Sequence, residues 1–158
     1  RDRRRRRGRV ARVRPEPKLR KAPLRAERGT VLEGKSVGVV IPAYNEELLL
    51  PDTLAGIPSF VDRVFVVDDA STDATVGRAH AAAASDPRIV VMVQERNEGV
   101  GAAVVRGYAR AVEEELDVVC VMNGDNQMDP TELIALAAPV VRDGRARRRA
   151  GHPDPLVR

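Results

Sequence analysis

Four short apolar runs separated by helical segments constrain this 158-residue chain more than any other feature of its sequence. The runs are rich in Val and are apolar nearly throughout, whereas strands of a half-exposed sheet alternate apolar and polar residues. Continuous apolar strands are typical of parallel sheets covered on both faces. Strands that alternate with helices indicate the same arrangement. The sequence therefore predicts an α/β domain, a parallel sheet with helices on both faces.

The apolar periodicity also predicts where each element begins and ends. Pro130 opens the last helix, since proline is favoured in a first turn, and residues 71–73 (Ser-Thr-Asp) are expected to cap the second helix. The predicted strands cover 37–41, 61–67, 88–93 and 117–122, and the predicted helices cover 46–57, 71–84, 99–115 and 130–141. This order of elements predicts a single domain over 36–143.

The charge of the chain is divided unevenly along its length. Residues 1–35 carry 15 Lys and Arg against 4 Asp and Glu, whereas 36–141 carry 6 against 17. We predict that 1–35 is a basic, disordered arm. Peripheral contact with anionic lipid is an alternative role for the arm, and RNA binding is another that the arm alone does not exclude. Residues 144–158 are basic and have no period, and we expect a truncated or frame-shifted end there.

Composition excludes several classes of protein. Aromatic residues make up 3% of the chain and Trp is absent, so the stacking platforms of single-strand binders are lacking and no nucleic acid is expected as a partner. Cys120 is the single cysteine, which excludes an internal disulfide framework and a zinc site of several thiolates. No apolar run approaches the length of a transmembrane helix.

Polar segments that contain Asp or Glu follow three of the predicted strands. They are 42–46 (PAYNE), 68–73 (DDASTD) and 123–129 (NGDNQMD). Ligands of such sheets gather beyond the carboxyl ends of the strands. Carboxylates concentrated at that edge repel one another, and a divalent cation bound with an anionic ligand relieves the repulsion. The pattern therefore predicts a crevice for a metal–nucleotide complex.

Four motifs in this order resemble those of the inverting family 2 glycosyltransferases, and most closely the polyprenyl-phosphate (dolichol-phosphate) mannosyl- and glucosyltransferases. The motifs are VVIPAYNEE at 39–47, VVDDASTDAT at 66–75, NEGVGAA at 97–103 and MNGDNQMDP at 122–130. The resemblance covers about 36–141. It implies the N-terminal half of a GT-A fold, which is a Rossmann-like nucleotide-sugar-binding unit.

The resemblance also implies a set of binding residues. An Asp of the pair at 68–69 would hold the base or ribose, and the nucleoside would lie over the segment after the first strand. The residues expected to bind the nucleotide sugar are Pro42, Ala43, Tyr44, Glu46, Asp68, Asp69, Asn123 and Gly124. We interpret Gly99 and Gly101 as glycines that let the backbone pack closely beside this donor site.

The metal motif implied by the resemblance, of Asp-x-Asp type, corresponds to Asn123, Gly124 and Asp125. Its first acidic position is Asn in this chain, which removes one charge. We therefore place Mg²⁺ or Mn²⁺ on Asp125 and Gln127, and assign the catalytic role to Asp125. The ion would stabilise the negative charge that develops on the departing nucleoside diphosphate.

The function implied is transfer of a hexose from a GDP- or UDP-linked donor to an acceptor, with inversion. The expected acceptor is a polyprenyl phosphate, which is already anionic and nucleophilic, so a strong general base is less necessary. This agrees with the absence of a convincing catalytic histidine. The expected location is the cytoplasm, with peripheral contact at the cytoplasmic membrane face.

Other functions fit the residues less well, but two stay open. A sugar nucleotidyltransferase should have a glycine-rich basic loop after the first strand, whereas 42–46 is acidic and lacks glycine. An incomplete chain that binds the donor without transferring the sugar is the second alternative. The sequence from Gly99 onward does not match the dinucleotide-binding fingerprint, because Val104 stands at the position of the third glycine. A receiver-like module would need a late lysine, and every lysine precedes the first strand.

Overall fold

A computed structural model describes residue 32 and residues 34–143. The strands are β1 (Val37–Ala43), β2 (Arg63–Asp68), β3 (Ile89–Val93) and β4 (Val118–Val121). The helices are α1 (Leu50–Ala55), α2 (Thr75–Ser85), α3 (Val100–Glu113) and α4 (Leu133–Asp143). The predictions for the arm over 1–35, apart from its last residues, and for the tail over 144–158 lie outside the described residues.

The four strands form one parallel sheet in the order β3-β2-β1-β4. All seven residues of β1 are buried, because β1 lies between two neighbours and is covered on both faces. The order reverses direction between β1 and β4. In sheets of this kind such a switch point leaves a crevice outside the carboxyl ends of the strands.

Alternation along β1 divides the core between the two faces of the sheet. Val39 and Ile41 pack with residues of α1, α2 and α4 on one face. Val40 packs on the other face with Ala103 and Ala111 of α3. The helices therefore cover both faces, and the predicted α/β architecture is confirmed.

Close packing of α3 on β1 depends on one glycine. A Cβ atom at Gly107 would lie 2.3 Å from Cγ1 of Val40, which is too short for any real contact. Together with Ala103 and Ala111, Gly107 forms the buried stripe of small residues on α3. This contact fixes the position of α3 on the sheet. It thereby also fixes the position of the loop before α3 relative to the end of β1.

Three of the predicted helices begin three or four residues later in the structure. α1 begins at Leu50 rather than residue 46, because 46–49 form a turn in which the Leu50 amide donates to the Glu46 carbonyl. α2 begins at Thr75 rather than 71. The last predicted helix divides into a 3₁₀ turn (Pro130–Glu132) and α4. In the first two cases the shortened ends belong to loops at the carboxyl edge of the sheet.

The described helices are short. α3 is the longest with 14 residues. Within residues 34–143, no helix combines the length and the hydropathy that crossing a bilayer requires.

Candidate active site

A cleft of about 240 Å³ lies at the carboxyl edge of the sheet. Its lining comes from the last residues of β1 and from the segments that follow β1, β2, β3 and β4. The lining residues are Pro42, Ala43, Tyr44, Glu46, Asp69, Val100, Asn123, Gly124 and Asp125. The structure thus brings most of the predicted site residues into one cavity, and Asp69 and Asp125 share it.

Asp68 and Gln127 do not line the cleft, although the sequence analysis included both in the site. Asp68 ends β2 on the same face as Val64 and Val66, and it is fully buried. Its Oδ2 accepts a hydrogen bond from the Ser71 amide at 3.0 Å, and its Oδ1 has no hydrogen-bond partner among the residues that the structure describes. Gln127 is exposed, and its backbone amide donates to Oδ1 of Asp125 at 3.1 Å.

Asp69 holds the loop between β3 and α3 against the cleft. It is buried, and its carboxylate accepts hydrogen bonds from the Gln94 side chain, from the Glu98 amide at 2.8 Å and from the Gly99 amide at 2.7 Å. The loop then delivers Val100 to the cleft lining. Sequence reasoning missed Val100, because its place depends on these hydrogen bonds between segments 25 to 30 residues apart.

The interpretation of the two loop glycines as sites of close backbone packing is wrong. A Cβ atom at Gly99 or Gly101 would meet nothing within 4 Å. Gly99 has a φ of 88°, a left-handed conformation that residues with a Cβ atom rarely adopt. Glycine at 99 is therefore explained by the turn into α3 and not by packing.

Negative charge dominates the cleft. Glu46, Asp69 and Asp125 line it, and no lysine or arginine is among its lining residues in the described part of the chain. The pKa of Glu46 is raised above its ordinary value, chiefly by burial and then by the charges of Asp125 and Asp73. Among the described residues, no basic side chain of the lining offsets the charge of Glu46.

The donor set fits a hard divalent cation that is held jointly with a ligand. Carboxylate and amide oxygens of Asp125 and Asn123 are the ligand types that Mg²⁺ and Mn²⁺ prefer. Across residues 34–143, however, no three His, Cys, Asp or Glu side chains come close enough to enclose a metal ion. Mg²⁺ usually takes one or two carboxylates and completes its shell with substrate phosphates and water. The residues present fit that mode of binding.

A parallel α/β sheet with an acidic cleft at its switch point is the arrangement of a nucleotide-binding enzyme domain. The chain belongs to the family described as glycosyl transferase family 2, whose family model matches residues 38–147. The family expected from the four motifs is therefore confirmed.

Named relatives agree with this assignment. The chain is 37% identical over 103 residues to an undecaprenyl-phosphate mannosyltransferase of Micrococcus luteus, covering 64% of this chain and 42% of that protein. It is 34% identical over 106 residues to an undecaprenyl-phosphate 4-deoxy-4-formamido-L-arabinose transferase of Aeromonas hydrophila, covering 63% of this chain and 32% of that protein. The chain thus spans less than half the length of these two relatives.

Solved structures confirm that the fold matches part of the GT-A glycosyltransferase fold. Glucosyl-3-phosphoglycerate synthase from Mycobacterium tuberculosis, solved with Mn²⁺, UDP and glucosyl-3-phosphoglycerate, matches with a TM-score of 0.58 and 27% identity over 69% of this chain and 40% of that one. A mannosyltransferase from Pyrobaculum calidifontis, solved with GDP-Man and Mn²⁺, matches with a TM-score of 0.56 and 25% identity, over 66% of this chain and 31% of that one.

Proposed function

We propose that the cleft binds the diphosphate of a GDP- or UDP-linked hexose together with Mg²⁺ or Mn²⁺. The observation that carries this proposal is the meeting of Glu46, Asp69 and Asp125 in a cleft whose lining, as far as the structure describes the chain, includes no basic side chain. Such a cleft repels a bare diphosphate and attracts a divalent cation, so the two ligands are expected to bind together. The solved relatives with Mn²⁺ and a nucleotide support this mode of binding.

The nucleoside lies along Pro42, Ala43 and Tyr44 in this proposal, with Glu46 at the same wall of the cleft. Tyr44 is 47% exposed, so its ring is accessible to a bound nucleoside. Of the Asp68–Asp69 pair, Asp69 takes the role beside the base or ribose, because it lines the cleft and Asp68 does not. Asn123 and Gly124, which follow β4 and also line the cleft, are the remaining residues that we expect to contact the donor.

Asp125 is the residue to which we assign the metal and the catalytic role, with Gln127 as a further ligand. Support is stronger for Asp125, because it lines the cleft, whereas Gln127 lies outside the lining. The ion, when bound, supplies electrostatic stabilisation of the leaving diphosphate without a proton transfer. Asp125 holds the ion, and the walls around it orient the sugar and limit the access of water.

The acceptor in our proposal is a polyprenyl phosphate, and transfer proceeds with inversion. Support comes from the relatives that are undecaprenyl-phosphate transferases. A phosphate acceptor is already ionised, so the reaction needs no strong base. His80, the histidine of the described residues, lies on α2 and outside the cleft lining. We also propose cytoplasmic location with peripheral contact at the membrane face, which the basic residues before 36 would favour.

Calorimetry of the chain with GDP- and UDP-hexoses, with and without Mn²⁺, tests the donor site. We expect binding that requires Mn²⁺ and that Asp125→Ala weakens about 100-fold, equivalent to about 2.7 kcal/mol. Glu113→Ala is the matched control, because it removes one carboxylate from the exposed surface of α3 and should leave binding unchanged. Binding that ignores Mn²⁺, or that survives Asp125→Ala undiminished, would contradict the proposal.

Transfer is tested separately with a radiolabelled donor and a short polyprenyl phosphate. Formation of glycosyl lipid by this chain would support the whole reaction and exclude donor binding alone. Donor binding without product would support the alternative in which these residues bind the sugar nucleotide but do not transfer the sugar.

A further inference from the structure

Two loops at the carboxyl edge of the sheet are joined by side chains that do not line the cleft. The first loop follows β1 and carries Tyr44 and Glu46 into the lining. The second loop lies between β2 and α2. We call the connecting side chains the loop clamp, and they are Asn45, Glu47, Ser71, Asp73 and Thr75.

Three consecutive backbone amides of the first loop all donate to side chains of the second. The Asn45 amide donates to Oγ of Ser71 at 2.9 Å, and the Glu46 amide donates to Oγ1 of Thr75 at 2.8 Å. The Glu47 amide donates to Oδ2 of Asp73 at 3.2 Å. Turn amides usually bond within their own loop or to water, so this arrangement fixes the backbone on both sides of Glu46.

Two side chains of the first loop accept hydrogen bonds from backbone amides of the second loop. Oδ1 of Asn45 accepts a hydrogen bond from the Thr72 amide at 2.9 Å, and Oε2 of Glu47 accepts one from the Ala74 amide at 2.8 Å. Asn45 has a φ of 55°, in the left-handed region where Asn is better tolerated than most residues. Its residue type therefore meets two requirements, the backbone conformation and the acceptor.

Thr75 is oriented by its own neighbour. It is fully buried, and Asp73 accepts hydrogen bonds from both its amide and its hydroxyl. Because the hydroxyl proton is donated to Asp73, a lone pair of Oγ1 remains for the Glu46 amide. Ser71 and Thr72, which the sequence analysis assigned to a helix cap, instead hydrogen-bond to Asn45.

We propose that Asn45 and Thr75 are positioning residues for the sugar-nucleotide donor, an inference that rests on the proposed function of the cleft. Neither residue lines the cleft. They hold Tyr44 and Glu46 in the binding arrangement before the ligand arrives, so that this loop need not be ordered at the moment of binding. Preorganisation of this kind raises affinity without adding a contact to the ligand.

The test uses, at each of the two positions, one variant that removes the hydrogen-bonding group and one that keeps it. Asn45→Gly tolerates the left-handed backbone but loses the acceptor, whereas Asn45→Asp keeps both. Thr75→Val keeps the shape but loses the hydroxyl, whereas Thr75→Ser keeps it. We expect Asn45→Gly and Thr75→Val to raise the Kd of the Mn²⁺–nucleotide complex about fivefold to tenfold, since a net hydrogen bond is worth about that factor. Thr75→Ser should stay within about twofold of the wild-type Kd, and Asn45→Asp, which keeps the acceptor and adds a negative charge beside the cleft, should bind the Mn²⁺–nucleotide complex no more weakly than the wild type.

Ser36→Ala is the control for a general loss of stability. It removes a hydroxyl that hydrogen-bonds to Asp117 at the opposite edge of the sheet, so it should lower the melting temperature without changing the Kd. Equal loss of affinity in Ser36→Ala, or no loss in both Asn45→Gly and Thr75→Val, would overturn the inference. Because Asn45 is exposed, Asn45→Gly and Asn45→Asp should both fold. These two variants therefore test the inference if Thr75→Val does not fold.

Amide hydrogen exchange on the full chain without ligand separates this inference from the proposed function. Asn45→Gly should speed exchange at the Thr72 amide at least several-fold, and Asn45→Asp should not. If exchange at the Thr72 amide is faster in Asn45→Gly but the wild type binds no nucleotide, the proposed function is overturned. The loop clamp would then exist but would have no sugar nucleotide to position. Nucleotide binding in the wild type with unchanged exchange in Asn45→Gly would overturn the clamp alone.

Discussion

The two edges of the sheet use the same acidic residue types in opposite ways. At the amino edge, Asp117 accepts hydrogen bonds from the Ser36 amide, the Ser36 hydroxyl and the Lys35 ammonium, at 2.8 to 2.9 Å. These contacts lower the pKa of Asp117 to about 2, and the hydrogen bond from the Ser36 amide contributes most to the shift. At the carboxyl edge, burial and the charges of Asp125 and Asp73 raise the pKa of Glu46.

The difference separates carboxylates that hold the fold from the carboxylates that we propose for ligand binding. The chain supplies the donors for Asp117, and it does the same for Asp69 through Gln94 and two loop amides. For Glu46 and Asp125 the chain places further negative charge nearby. Among the residues that the structure describes, Asp125 accepts one hydrogen bond, from the Gln127 amide, whereas Asp69 accepts three. An acidic residue is therefore informative about ligands only when its own donors are counted, and on this criterion Glu46 and Asp125 are the carboxylates that we propose for the ligand.

The largest effect on stability should come from the amino edge. Asp117→Ala removes the acceptor for the nearly buried Ser36 amide and hydroxyl, so we expect the free energy of unfolding to fall by about 2 kcal/mol. Asp117→Asn keeps one carbonyl acceptor and should cost less. Urea denaturation measures both. Nucleotide binding should be unchanged in either variant, and a weakened Kd would show that the two edges are not independent.

Glu46→Gln should change stability and binding in opposite directions. Loss of a charge that faces Asp125 and Asp73 should raise the free energy of unfolding by a few tenths of a kcal/mol. The same change should weaken Mn²⁺–nucleotide binding roughly tenfold, about 1.4 kcal/mol. Urea denaturation measures the change in the free energy of unfolding, and calorimetry on the same preparation measures the change in affinity. If Glu46→Gln destabilised the protein without a ligand, the carboxylate would belong with Asp117 as a structural group.

The sequence predicted the elements and the place of the site because both follow from short-range patterns. Apolar runs of strand length define the parallel sheet, and parallel strands bring their polar ends to a common edge. The meeting of Tyr44, Asp69 and Asn123 in one cleft required nothing further. The exact ends of α1 and α2 were not predictable in this way, because their first turns are replaced by hydrogen bonds between loops.

The roles within the Asp68–Asp69 pair show what alternation could have added. Asp68 continues the face of Val64 and Val66, so it points to the α1 and α2 side of the sheet, whereas Asp69 begins the loop. The place of Val100 in the cleft and the loop clamp could not be predicted from the sequence. Both depend on hydrogen bonds between side chains and backbone amides that are far apart along the chain. The hydrogen bonds of the clamp join residues 26 to 29 positions apart.

Acid should affect the two edges in opposite directions. The folded pKa of Asp117, about 2, is below its ordinary 3.8, so its contribution to stability is present above 3.8 and is lost as the pH falls toward 2. The raised pKa of Glu46 has the reverse effect, because its contribution is present below the ordinary 4.5 and is lost as the pH rises through the folded pKa. The side chain of Asp117 is 37% exposed, and solvent screening limits its effect to about 1 kcal/mol.

Urea denaturation of the wild type and two variants between pH 2.5 and 7 measures these contributions. Asp117→Asn should lose stability less steeply than the wild type between pH 4 and 2.5. Glu46→Gln should follow the wild type there and differ from it above about pH 4.5. Parallel curves for all three proteins would contradict the assignment of opposite electrostatics to the two edges.

The smallest effect should come from the ammonium at the amino edge. Lys35 lies 2.9 Å from Asp117, but its side chain is 51% exposed, and exposed ion pairs contribute about 0.2–1 kcal/mol. We expect Lys35→Ala to lower the free energy of unfolding by a few tenths of a kcal/mol, and 1 M NaCl to remove most of that difference because salt screens exposed charges. A loss as large as that of Asp117→Ala would mean that the ion pair, and not the Ser36 amide and hydroxyl, stabilises the carboxylate. The amino edge would then depend on a counter-charge from a side chain, much as the cleft is proposed to depend on one from a ligand.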